Sequence, residues 1–377
     1  MRGEPLVGVL GGSGVVGRAA VRTLRELGVR SLRLGARRPP GVTADGVESV
    51  AVDLDDEDGL AAFCRDCRTV LNCAGPSYLV RGRVAIAALA AGADYVDVAG
   101  DDPAHADLRG LDLAATRRRA VLSAGMLPGL SGLLPRRLAR HRALADARLA
   151  VWTGGLERCS RTVAADLMLS LGDGPDAVSA APTAYGEALA AWRRGRRESH
   201  ALSAQAVATL PFFPGTVAVQ PYLSTEAERL AQALGLAELD WFNVFPGRQV
   251  RETLAALRGG PPTGPASLGA AADRLVRAAE LDLAGRRPYY RMVFELSDGA
   301  STSTTAILGT TDSYRLTGAV GALTVAATLD GRVPPGLHYA AEVLDPDETT
   351  ARIESLGAVT IDVSSGPVGA AATVGAL

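Results

Sequence analysis

The sequence contains no lysine; all 39 of its basic residues are arginine. That excludes a Schiff-base lysine, the phosphate-gripping lysine of a P-loop and the Tyr-x-x-x-Lys pair of short-chain dehydrogenases. Cysteine and histidine are scarce too, four of each. Cys64, Cys67, Cys73 and Cys159 are too few to staple 377 residues. Cys64 and Cys67 form a C-x-x-C, but no second C-x-x-C and no H-x-x-x-H follows, so packing at the end of a surface helix is the better reading. His105, His141, His200 and His338 lack ligand spacing, and no metal site is expected. No apolar run reaches the roughly 18 to 20 residues that span a bilayer, and the first residues lack a basic stretch followed by a long apolar one. A cytoplasmic protein without membrane contact is expected. The net charge of −2 lacks the basic excess of a nucleic-acid binder.

What is present is an alternation. Apolar runs at Leu6–Leu10, Ser31–Leu34, Ser49–Val52, Thr69–Asn72, Tyr95–Val98 and Val121–Ser123 are separated by helical patterns at Val15–Leu27, around Leu60–Phe63, at Val84–Ala91 and at Leu111–Arg119. Short apolar strands spaced by helices predict a parallel sheet covered on both faces. After Met126 the pattern changes. Strands at Ala147–Thr153, Val217–Tyr222, Leu239–Phe245, Tyr289–Leu296 and Thr302–Leu308 suggest a mixed or antiparallel sheet. Helices at Met126–His141, Thr225–Leu234, Ala266–Ala284 and Tyr314–Leu329 accompany them, with a surface loop over Arg251–Pro265 broken by Gly259-Gly260-Pro261-Pro262. The fold class is therefore α/β: an N-terminal Rossmann doubly wound parallel sheet with a second α+β domain. The expected boundaries are 1–125 for a nucleotide domain and 126–335 for a substrate and dimerisation domain. Residues 336–363 are expected to return to the first domain, and the Gly/Ala-rich tail after Ser364 to be disordered.

The sharpest motif is Gly11-Gly12-Ser13-Gly14-Val15-Val16-Gly17, directly between the first strand and the first helix. There a dinucleotide pyrophosphate needs a tight turn, close backbone approach and free N–H donors at a helix N-terminus. The end of the second strand selects the cofactor. An acid there would bind a ribose hydroxyl; the sequence instead reads Gly35-Ala36-Arg37-Arg38, and guanidinium groups suit a 2′-phosphate, which points to NADP. Asp53, past the third strand, is placed either at the adenine amine or as a cap on Asp55–Ala62. The turn Asn72-Cys73-Ala74-Gly75-Pro76 and the turn Asp97-Val98-Ala99-Gly100-Asp101 end the fourth and fifth strands on the edge expected to face the nicotinamide.

At these residues the sequence resembles the saccharopine dehydrogenase-like reductases. The similar pieces are Gly11–Gly17, Asn72–Pro76, Ala91-Gly-Ala-Asp-Tyr-Val-Asp97 with Gly100, Gly125-Met-Leu-Pro-Gly129, and Pro334-Pro-Gly336 followed by Glu342-Val-Leu-Asp345. Many relatives carry Gly-Glu after the fifth strand; here it is Gly100-Asp101, a shorter carboxylate. The resemblance implies hydride chemistry on a C=N bond, since relatives reduce imines or oxidise the resulting amines. It also implies a Rossmann sheet completed by later chain and an inserted substrate and dimerisation domain, hence a homodimer.

Asp101 is the first candidate for the group that holds or protonates the substrate nitrogen, with capping of the helix before Pro103 as its structural alternative. Asp97 is the second, with acceptance of backbone N–H bonds as the alternative. His338 is a third candidate, as a proton donor. Arg193-Arg194-Gly195-Arg196-Arg197 suits either an anionic tail on a carrier-bound substrate or a solvated loop, and Asn243 and Arg248 are weaker substrate candidates. Three functions remain open: an NADPH-dependent imine reductase acting on a small molecule, an enoyl or carbonyl reductase on the same scaffold, and an NADP-binding sensor without turnover.

Overall fold

Seven strands of four or five residues form the first sheet, too short to be anything but core rungs between helices. The computed structural model describes residues 4–38, 46–140, 142, 144, 146–171, 185–258, 264–298 and 302–367. In chain order the first elements are β1 (Val7–Leu10), α1 (Val15–Glu26), β2 (Leu32–Ala36), β3 (Val47–Ala51), α2 (Glu57–Cys64) and β4 (Thr69–Asn72). Next come α3 (Ser77–Val80), α4 (Arg83–Ala90), β5 (Asp94–Asp97), α5 (Asp102–Leu108), β6 (Arg119–Leu122) and α6 (Leu130–Ala139). The second stretch holds β7 (Arg148–Leu156), α7 (Arg161–Leu171), β8 (Gly186–Ala188), β9 (Ala191–Arg193), β10 (Arg196–Glu198), β11 (Gln205–Thr209) and β12 (Thr216–Ser224). It continues with α8 (Thr225–Leu234), β13 (Glu238–Phe245), α9 (Arg248–Arg258), α10 (Pro265–Leu283), β14 (Tyr289–Ser297) and β15 (Thr302–Thr310). The chain then runs through α11 (Ser313–Leu329), β16 (Gly336–Tyr339), α12 (Ala340–Val343), α13 (Pro346–Ser355) and β17 (Thr360–Pro367).

The first unit comprises Met1–Leu133 and Ser313–Ala358. Its sheet is wholly parallel, in the order β16-β6-β5-β4-β1-β2-β3. The order reverses between β1 and β4, which makes that crevice the binding edge of a doubly wound sheet. One face is filled by Leu60, Phe63, Val70, Val84, Tyr95, Leu108 and Leu122. The other is covered by α1 and α11. Helix α11 is apolar nearly all round, as a helix buried on several sides must be. Its glycines set the approach: a Cβ on Gly318 would lie 2.6 Å from the Ala20 nitrogen, and one on Gly321 2.7 Å from Val98 Cγ1.

The second unit comprises Leu134–Asp312 and Val359–Leu377. It carries a ten-stranded mixed sheet, with β10-β9-β13-β7-β14-β15-β17 in line and β12, β11 and β8 branching from β13. β7 and β13 are parallel, and β14, β15 and β17 continue antiparallel. Helices α7, α9 and α10 enclose one core around Ala164, Met168, Leu254 and Leu275, with Phe245 from the sheet. Phe212, Phe213, Val219, Val244 and Val293 form another.

The organisation departs from the expected boundaries in two places. The return to the first unit begins at Ser313, not at residue 336, because α11 is needed to cover α1 and the sheet. β17 does not stay with that unit: it pairs with β15 across Thr302–Gly309 as an edge of the second sheet. Three local expectations also change. Arg119 begins a strand, and the segment expected to be helical over Leu111–Arg119 is turns, with Arg117 at φ +54°; the helix lies earlier, at α5, where Pro103 suits a first helical turn. The stretch expected to be a loop from Arg251 is helical through Arg258 as part of α9, while Gly259–Pro262 lies outside the described residues. β17 runs to Pro367, past Ser364; the rest of the tail lies outside the described residues. Among the described residues no helix is long and apolar enough to cross a membrane, and no group of His, Cys, Asp or Glu could hold a metal.

Candidate functional site

The β1–α1 turn is built by glycines with different tasks. Gly11 takes φ +76° and lies so close to the β4 turn that a Cβ would sit 2.8 Å from the Ala74 nitrogen. Its N–H and that of Gly12 donate to the Gly35 carbonyl at 2.8 and 3.2 Å, fastening the turn to β2. Gly17 presses α1 onto the turn: a Cβ there would lie 2.2 Å from the Gly11 oxygen. Gly14 differs. It has ordinary extended geometry as the N-cap of α1, and a Cβ would meet nothing within 4 Å except the Gly11 oxygen, at 3.1 Å. No side chain caps α1 and no acid stands in its first turn, so the leading N–H groups of Val15, Val16 and Gly17 are available to an anion. Arg18 donates to the Ser13 carbonyl and holds the loop from the helix side.

Arg37 and Arg38 follow β2 on the same sheet edge. Both are exposed, and neither pairs with an acid among the described residues. An open glycine cradle, a bare helix terminus and two uncommitted guanidinium groups fit a dinucleotide bearing a 2′-phosphate. Asp53 is exposed and its Oδ1 accepts the Asp55 N–H at 3.1 Å. It does not cap the next helix: Asp56 does, accepting from Gly59 at 3.1 Å.

Leu10, Asn72 and Asp97 stand in register at the ends of β1, β4 and β5, so the sheet brings the three turns together. Asn72 is buried; its Nδ2 donates to Asp97 Oδ2 at 3.0 Å and its Oδ1 accepts the Ala74 N–H at 3.1 Å, which shapes the Cys73–Pro76 turn. Gly75-Pro76 is a cis peptide. The Cys73 thiol is pushed well above its ordinary range by burial and by the nearby Asp97 carboxylate, so it stays neutral.

The two carboxylates of the β5 turn are doing different things. Asp97 is 2% exposed. Its Oδ1 accepts from Ala99 N at 2.9 Å and Gly100 N at 2.7 Å, and its Oδ2 from Asn72 Nδ2 and from the Tyr95 hydroxyl at 2.5 Å. Both oxygens are committed, and the residue organises the turn rather than facing a substrate. Asp97→Asn puts an NH₂ against one pair of these donors, so it should cost about 2–3 kcal/mol of stability. Urea unfolding checks this: the midpoint should fall, while activity per folded molecule persists. Asp101 is half-buried at the N-cap position of α5, but its side chain accepts none of that helix's N–H groups, which removes the capping explanation. Ser123 Oγ lies 3.3 Å from its Oδ1.

His338 points its ring away from the strand's end. It lies on β16, the outermost strand, and its Nε2 contacts the Pro334 carbonyl at 3.1 Å, back toward the strand's start. A Cβ on Gly336 would lie 2.8 Å from that nitrogen, so the ring packs over the turn that feeds β16. This contact gives the ring a turn-holding occupation, and no hydrogen bond brings it to Asp101 among the described residues. Sequence reasoning missed the groups that do gather beyond Asp101. Tyr339 donates its hydroxyl to Asp102 and stacks on His105 with centroids 5.2 Å apart. The Asp101-Asp102 pair before a helix was the available signal; the tyrosine arrives from β16 and could not be placed from spacing.

Other singled-out residues have structural occupations. Cys64 and Cys67 are buried, Cys67 against Gly8 and Arg33, and burial pushes their thiols up to about 12 and about 11, which makes them poor nucleophiles at neutral pH. In the arginine-rich hairpin, Arg193 pairs with buried Asp240 at 2.5 Å and Arg197 with Glu228 at 2.6 Å; Arg194 and Arg196 are exposed. Asn243 accepts from Thr153 Oγ1 at 3.3 Å, and Arg248 pairs with Glu252 at 2.7 Å.

The first unit is similar to known proteins. Residues 7–120 match the family model of the saccharopine dehydrogenase NADP binding domain. That stretch is similar to the NADP-binding domain of saccharopine dehydrogenases. A probable mitochondrial saccharopine dehydrogenase-like oxidoreductase of Arabidopsis thaliana is 29% identical over 113 residues, which is 25% of this chain and 25% of that protein. The fold extends further. Apo saccharopine dehydrogenase (L-Glu forming) from Saccharomyces cerevisiae superposes with a TM-score of 0.66 at 15% identity, over 96% of this chain and 100% of that one. The family match supports NADP as the cofactor, in keeping with the resemblance read from the glycine loop and the β4 turn.

If Arg37 and Arg38 read the 2′-phosphate, replacing both with alanine should weaken NADPH about ten- to a hundredfold and leave NADH nearly unchanged, since charge-assisted bonds carry that difference. Calorimetric titration of both cofactors measures the ratio. An unchanged ratio would move 2′-phosphate recognition elsewhere.

Proposed function

We propose that the protein is an NADPH-dependent oxidoreductase that reduces the C=N bond of an imine formed from a small amine or amino-acid derivative. The observation that carries the reading is the division of labour in the β5 turn. Asp97 is spent on structure, and Asp101, one turn further on the binding edge, keeps a carboxylate that does not cap its helix. The NADP-binding domain and the saccharopine dehydrogenase fold support it.

NADPH, when bound, supplies a hydride. A protonated imine accepts that hydride at carbon more readily than a neutral one. A carboxylate within about 3 Å of the nitrogen favours the charged form and fixes its position. As the carbon gains the hydride, the C=N electron pair passes to nitrogen. The nitrogen keeps its proton and leaves as a neutral amine, so the Asp101 carboxylate holds charge without having to exchange a proton.

NADPH oxidation screened against aldehyde–amine pairs, simple ketones and enoyl thioesters tests this. Turnover is expected with an aldehyde–amine pair and not with the aldehyde alone. Turnover of enoyl thioesters or ketones only would replace C=N with C=C or C=O chemistry. NADPH binding without turnover of any of these would point to a sensor.

A further inference from the structure

Ser123 follows β6 and is 2% exposed, yet its backbone is left-handed, with φ +55°. An L side chain pays for that conformation; glycine does not. Glycine already occupies the neighbouring positions Gly100, Gly125 and Gly129, so a serine here must gain something through its hydroxyl. Two acceptors lie within reach: the Gly100 carbonyl at 3.1 Å and Asp101 Oδ1 at 3.3 Å. The Gly100 carbonyl, which also receives the Ser123 N–H at 2.8 Å, and the Asp101 carboxylate share the hydroxyl. Of the two acceptors, the charged carboxylate gains more from a donor.

We infer that Ser123 is the positioning residue of the Asp101 carboxylate, its hydroxyl aiming the group and favouring its ionised form at the binding edge. The inference deepens the proposed imine reduction and rests on that reading of Asp101. The placement has a frame. Ala124 donates to the Asp97 carbonyl at 2.8 Å, and Gly125 is packed so tightly that a Cβ would lie 2.3 Å from the Val98 oxygen. The β6 turn is thus clamped to the β5 turn, and the hydroxyl cannot drift from the carboxylate. The other titratable groups on the elements around Asp101 are Asp94, Tyr95 and Asp97 of β5, Asp102, His105 and Asp107 of α5, Arg119 of β6, and His338 and Tyr339 of β16.

Ser123→Gly removes the hydroxyl while suiting the backbone, so its melting temperature should not fall. Ser123→Ala removes the hydroxyl and keeps the strain. The Asp101 carboxyl is followed by ¹³C NMR of aspartate-labelled protein, its resonance identified by loss in Asp101→Asn. Both serine variants should raise the Asp101 midpoint by about half to one pH unit, because a donor to the charged form is lost. With the imine that the screen returns, Ser123→Gly should lower kcat/KM about three- to tenfold, its acidic limb moving upward. The same substitution should have no further effect in an Asp101→Asn background. An unmoved Asp101 midpoint in both serine variants overturns the inference. So does an equal activity loss with and without the Asp101 carboxylate. Full activity in Asp101→Asn sinks the imine reading instead, while the shifted midpoint still supports the hold of Ser123 on the carboxylate.

Discussion

Gly14→Val is expected to abolish NADPH binding in a protein that remains folded. The reasoning lies in what surrounds each glycine of the turn. At Gly11 the conformation itself, φ +76°, requires glycine, and at Gly17 a Cβ would collide at 2.2 Å with backbone; substitution at either disturbs the turn. Gly14 has φ −70° and ψ 169°, which any residue adopts, and its missing Cβ faces open space but for one contact at 3.1 Å. A valine there costs the helix cap about 1 kcal/mol or less. Its methyl groups stand over the N–H groups that an anion would use. Calorimetry should show no NADPH binding up to millimolar cofactor, while the circular dichroism spectrum and the melting temperature stay close to wild type. Normal affinity would displace the pyrophosphate from this turn.

Asp101→Asn is expected to keep the fold and NADPH affinity and to lower kcat/KM for an imine at least about a hundredfold. Asparagine has the same shape and presents no charge, so the change isolates the charge. Loss of electrostatic stabilisation in a desolvated site costs about 2.7–4 kcal/mol, and a hundredfold corresponds to the lower end of that range. The loss should fall on kcat as much as on kcat/KM, because the carboxylate acts where the charge is being redistributed. Asp97→Asn provides the contrast: it weakens the fold and spares the chemistry of what remains folded. If the two substitutions exchanged these effects, the roles assigned to the two residues would be reversed.

The first sheet was legible because its physics is local. Apolar runs of four or five residues, a glycine turn and short connections leave few alternatives to a parallel sheet. The position of Arg37 and Arg38 was legible for the same reason, being fixed by their place after β2. The two aspartates of the β5 turn could be nominated but not separated, since what distinguishes them comes from Tyr95, Asn72 and Ser123 on three strands. The direction of the His338 ring, back toward Pro334, was not legible, since a histidine near a turn says nothing of which way its ring points. α9 was hidden by the glycines and prolines just after it. β8 to β11 and β17 are short or exposed pieces whose pairing partners lie far along the chain, and sequence patterns carry little of that.

The interleaving of the two units has a consequence for how the molecule comes into being. A ribosome delivers β1 to β6 early, but the cover over α1 and the seventh strand arrive only with Ser313–Ala358. Until then one face of a nearly complete parallel sheet lacks its apolar lid, the situation in which nascent chains recruit chaperones or stick to one another. The inserted sheet is unfinished for longer still, since its β17 edge follows that segment. Neither half can lock ahead of the other by much. Folding should therefore consolidate in one step once Ser313–Ala358 and β17 have emerged, with the ability to hold a dinucleotide appearing only then.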